Sequence, residues 1–136
     1  MKLELKRSET PYVFEVKNES GAICILDASE DIGGKNKGLT PMQLLASSLA
    51  GCMSIDVIMI LEKQKINPKI FKIEIDAQKK EGTPSPFETI HFTFSIDKEI
   101  DQNKIERAIN LSIEKYCSVM ATLTKDLNFS FEINLV

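Results

Sequence analysis

The sequence predicts an α+β domain with the element order βββαββαβ, and three observations carry that prediction. Short segments alternate apolar and polar residues, as strands with one wet face do. A single long Leu/Ala/Met-rich segment follows a capping signal, as a helix does. The last segment, Leu127 to Leu135, alternates without a break. A chain of 136 residues fits one domain, residues 1–136, and buries roughly two-thirds of its unfolded surface, enough for a core without disulfide staples.

Leu3 and Leu5 alternate with Lys2, Glu4 and Lys6, Tyr12 to Val16 is rich in aromatic and β-branched residues, and Ala22 to Leu26 is a short apolar run, giving three opening strands. Asn18 to Gly21 supplies the turn between the second and third, because Asn and Gly tolerate positive φ. Ala28 to Leu39, with Gly33, Gly34 and Gly38 and two lysines, reads as a mobile connection. It is not a Walker loop, since no Lys-Ser/Thr pair follows its last glycine and no strand runs directly into it.

Thr40, Pro41 and Gln43 form a capping box with proline at the first helical position, so a helix starts there and runs to about Lys63, ended by Asn67 and Pro68. Two strands follow. Phe71, Ile73, Ile75 and Ala77 share one face of the first, and Ile90, Phe92, Phe94 and Ile96 one face of the second. The loop with Gly82, Pro84 and Pro86 joins them as an antiparallel hairpin. Asp101 caps a second helix reaching about Tyr116, and the 127–135 strand closes the chain.

Strands wet on one face call for helices on one side of an antiparallel sheet. The segment from Leu44 to Ile60 is apolar nearly all round, and such a helix needs burial on more than one side. A two-fold homodimer would supply it. The alternative is that the 101–116 helix covers the second side. With Asp56, Ser47, Ser48 and Ser54, the segment is short and polar for a bilayer span, so no membrane partner is expected. A net charge of −3 without a basic block gives no support to nucleic-acid binding. Three cysteines, an odd number, behind a charged start (Lys2, Glu4, Lys6, Arg7) point to a reducing, cytoplasmic setting with free thiols.

His91, the one histidine, falls on the polar face of a strand and reads as a surface residue, and its solitude removes HExxH sites. Cys24, Cys52 and Cys117 have no zinc-like spacing, so no metal site is expected. Cys24, in an apolar strand, reads as a buried packing residue. Cys52 stands mid-helix beside Gly51, whose missing side chain leaves room for something to approach, and Cys117 follows the second helix. By composition alone each of the two is more often a core filler than a nucleophile.

Two motifs change that reading. The segment LTPMQLLASSLAGCMSIDVIMILEK resembles the central helix of the OsmC/Ohr family, with Ala50-Gly51-Cys52 at the position of the reactive cysteine, and EKYCSV, Glu114 to Val119, resembles the family's second cysteine motif. The resemblance spans Leu39 to Val136. It implies an OsmC-like fold and an intertwined homodimer that reduces organic hydroperoxides or hydrogen peroxide. Cys52 would be the peroxidatic thiolate and Cys117 its resolving partner, an external dithiol the reductant, with no bound cofactor. Met42 and Gln43 stand where the family has an acidic residue, and neither Arg7 nor Arg107 matches the arginine it holds, which marks a divergent branch. The competing function is a non-catalytic dimer that binds a small ligand or senses redox state.

Overall fold

The computed structural model describes residues 1–136. The chain divides into two compact units, Met1–Leu45 and Ala46–Val136.

The first unit is an antiparallel meander of β1 (Leu3–Glu9), β2 (Val13–Asn18) and β3 (Ile23–Leu26). Leu5 pairs with Val16, which pairs in turn with Cys24. The β2–β3 turn forms where Asn18 places its side-chain oxygen to accept N–H bonds from Ser20 and Ala22. Leu3, Leu5 and Ile23 remain exposed.

The connection after β3 is built more firmly than a mobile loop. The Asp27 carboxylate, itself buried, accepts backbone N–H bonds from Ala28, Lys35 and Lys37, and Glu9 pairs with Lys35 and Lys37. The glycines serve close packing: a Cβ on Gly34 would lie 1.8 Å from the Ala28 carbonyl oxygen, and one on Gly38 2.4 Å from that of Ile25. Backbone hydrogen bonds to one carboxylate leave no signature in composition, which is why the segment looks loose in the sequence.

The helix α1 (Pro41–Lys63) begins as its capping box requires: the Thr40 N–H donates to Gln43 Oε1 and the Gln43 N–H to Thr40 Oγ1. Its apolar residues are spread almost evenly around the axis. Ala46, Leu49, Ala50, Met53, Val57 and Leu61 are buried, while Ser48, Gly51, Ile55, Met59 and Glu62 form an exposed stripe at helical spacing. By length and hydropathy α1 could cross a membrane. The buried stripe and a mid-helix Asp56, hydrogen-bonded to Ser112 (2.8 Å), instead mark it as a core helix.

The second unit contains β4 (Phe71–Lys79), β5 (Phe87–Ile96) and β6 (Asn128–Leu135). The β4–β5 pair is the expected antiparallel hairpin, but β6 joins β5 in parallel, pairing Phe129 with Ile90 and Phe131 with Phe92. The expected antiparallel sheet is thus two three-stranded sheets, the second of them mixed. Two helices between β5 and β6 supply the crossover that a parallel pair needs. Ile90, Phe92, Phe94 and Ile96 on the central strand are sealed from solvent, and Phe92 meets Phe129 edge-on with ring centroids 5.1 Å apart. His91 lies on the opposite face, bonded to Ser130 (2.8 Å).

The second predicted helix is broken in the structure. The helix α2 (Gln102–Leu111), capped by Asp101, buries Ile105, Ala108 and Ile109. A π-helical turn, Ser112–Tyr116, follows, and the chain extends at Cys117 before a short helix, α3 (Ser118–Thr122). Five residues are too few to show a helical period, so α3 has no sequence signal.

Candidate functional site

Cys52 and Asp56 stand one turn apart on α1, so their side chains share a face. The π turn brings the second cysteine to them. Its wide loop is closed by the Cys117 N–H donating to the Ser112 carbonyl at 2.8 Å, and Ser112 Oγ donates to Asp56 Oδ2 at 2.8 Å, tying the turn to α1. Turns of this kind in helices are frequent at functional sites. Cys117 caps α3, its Sγ accepting from the Met120 N–H at 3.3 Å.

The sulfurs of Cys52 and Cys117 and a carboxylate oxygen of Asp56 all lie within 4.8 Å of one another. Both thiols are free, Cys52 half-buried and Cys117 only 3% exposed. Burial pushes the Cys117 thiol up to about 11; the Met120 N–H works against this, while contact with Cys52 and the Asp56 charge add to it. At neutral pH Cys117 is therefore a thiol, able to donate a proton or to attack only once it is deprotonated.

The sequence singled out Cys52 and Cys117, and the fold brings them together. Asp56 and Ser112 escaped it, Asp56 counting only as a polar interruption of an apolar segment. The Cys52-to-Asp56 spacing of one helical turn was the readable signal. Cys24 is half-buried in β3, less enclosed than a packing residue in a core strand should be. Gly51 was expected to admit a close neighbour, yet it is exposed and a Cβ there would meet nothing within 4 Å in this chain.

A family model described as OsmC-like protein matches residues 34–132, which take in α1, both cysteines and most of β6. The chain belongs to the OsmC-like family. Protein YhfA of Escherichia coli is 29% identical over 102 residues, covering 74% of this chain and 76% of that protein. The crystal structure of a hypothetical protein from Aquifex aeolicus is 31% identical, covers 99% of this chain and 96% of that one, and superposes with a TM-score of 0.81. An organic hydroperoxide resistance protein OsmC from Legionella pneumophila, at 16% identity, shares the fold with a TM-score of 0.73 over 99% of this chain and 98% of its own. The OsmC-like fold of the chain is thereby established.

Proposed function

We propose that this chain is a thiol-dependent peroxidase that reduces organic hydroperoxides or hydrogen peroxide, and that it works as a homodimer. The observation that carries the reading is the pair of free sulfurs on separate elements, one half-open and one buried, within 4.8 Å. The Legionella neighbour's hydroperoxide resistance agrees with it, but at 16% identity that protein carries the fold, so the thiol geometry carries the chemistry.

In this reading Cys52, the more accessible thiol, loses its proton and attacks the terminal peroxide oxygen. The O–O bond breaks, the alkoxide takes up a proton and leaves as an alcohol, or as water from hydrogen peroxide, and Cys52 becomes a sulfenic acid. The Cys117 sulfur then attacks the Cys52 sulfur, its proton leaves with the hydroxyl as water, and a disulfide forms. A small external dithiol restores both thiols and is itself oxidised. The cycle suits a reducing compartment such as the cytoplasm.

The dimer rests on the exposed stripe of α1. Ile55 is 62% and Met59 50% exposed, with Gly51 open beside Cys52, which leaves a flat apolar face for a second copy of the helix. Peroxide consumption with a dithiol reductant, using cumene hydroperoxide and hydrogen peroxide side by side, tests the function. Turnover that Cys52→Ser abolishes supports it; a folded wild-type protein that consumes neither substrate removes it.

A further inference from the structure

We propose that Cys52, Asp56 and Cys117 form a three-ligand site for a thiophilic divalent cation of the Zn2+ class, and that the bound ion closes the thiol pair to oxidation. The binding stands on the geometry alone; only its consequence for peroxide rests on the function proposed above.

Three donor atoms of the right kind already converge. Around a tetrahedral Zn2+ with Zn–S of about 2.3 Å and Zn–O of about 2.0–2.2 Å, ligand atoms sit roughly 3.5–3.8 Å apart. The two sulfurs and the carboxylate oxygen lie within 4.8 Å of one another, so side-chain adjustments of about an ångström complete the site. The donors are also arranged as such sites are built. Cys52 and Asp56 occupy positions one turn apart on a long helix, the spacing by which the two histidines of an HExxH helix share a zinc ion, and Cys117 arrives from a separate segment.

The surrounding bonds hold the ligands in place. Ser112 Oγ donates to Asp56 Oδ2 and steadies the carboxylate, and the Met120 N–H steadies the Cys117 sulfur. Two thiolates select a soft or borderline ion over Mg2+ or Ca2+. Binding displaces one proton from each thiol, and the two thiolates and the carboxylate then surround a double positive charge. Three protein ligands leave a fourth position for water. The ion engages the sulfur lone pairs that attack peroxide, and a disulfide no longer offers thiolates, so metal binding and oxidation exclude one another.

The test uses the reduced full-length protein in chelator-treated buffer. Zn2+ is titrated in competition with a chromophoric chelator, and Co2+ is titrated while the near-ultraviolet thiolate-to-cobalt charge-transfer band is followed. The expected result is one ion per chain, a cobalt spectrum with thiolate ligation, loss of both in Cys52→Ser and Cys117→Ser, and at least about tenfold weaker binding in Asp56→Asn. Cys24→Ala retains wild-type affinity, and a stoichiometric peroxide pulse before the titration removes the site. A wild-type protein without a thiolate–cobalt band, or an Asp56→Asn protein with wild-type affinity, would overturn the proposal. Peroxide turnover measured separately in metal-free buffer keeps a failure here distinct from a failure of the peroxidase reading.

Discussion

Ile55→Glu is the sharpest perturbation of the proposed dimer, because the residue is 62% exposed in the single chain and sits amid the open stripe of α1. Complete burial of an isoleucine side chain is worth about 1.5–3 kcal/mol, so burying its exposed share contributes about 1–2 kcal/mol per protomer. A two-fold interface uses the residue twice, giving about 2–4 kcal/mol. At about 1.4 kcal/mol per tenfold, Kd rises roughly 30- to 700-fold. The charge of two apposed glutamates adds to this, so the lower figure is a floor. Sedimentation velocity over a concentration series reads the change directly, and far-UV circular dichroism verifies that the variant keeps its fold. A wild-type protein that is monomeric at micromolar concentration, or a variant that dimerises as tightly as wild type, would refute the reasoning.

Two further predictions concern stability, one in each unit. Burial pushes the Asp27 carboxyl up, but the backbone N–H groups of Lys37, Lys35 and Ala28 outweigh it and hold the group below its ordinary value of 3.8. A depressed folded value means that this stability is fully present above pH 3.8 and is lost as pH falls through the folded value. Asp27→Asn should therefore flatten the acid limb of the stability curve measured by chemical denaturation below pH 4, and an unchanged limb would contradict the role given to Asp27. Phe92→Ala removes a ring with no solvent exposure from the centre of β5. It should cost about 3–5 kcal/mol in urea unfolding, and a loss under 1 kcal/mol would place the core elsewhere.

Much of this architecture was legible because periodicity reports burial. The alternation in β5 and β6 and the capping box of α1 appear in the structure where the residues put them. Alternation, however, says which face is buried and not which way a neighbour runs. The parallel docking of β6 is permitted by the long helical connection from Ile96 to Asn128, which an antiparallel pair could use as well. The three-residue cluster around Asp56 was hidden for a similar reason. A carboxylate in an apolar helix looks like an interruption until the π turn at Ser112–Tyr116 folds Cys117 against it. Cys52 and Cys117 were legible as a pair only through their motifs, since nothing in composition separates a reactive thiol from a packing one.

The central claim is that Cys52 and Cys117 act as one redox pair, and peptide mapping by mass spectrometry after a single equivalent of peroxide tests it most directly. In metal-free buffer one Cys52–Cys117 disulfide is expected within each chain. None is expected in Cys52→Ser, and sulfinic or sulfonic acid is expected at Cys52 in Cys117→Ser, where no resolving thiol remains. If Cys52 and Cys117 both stay reduced in the wild-type protein while a small thiol in the same tube is oxidised, the redox account is contradicted.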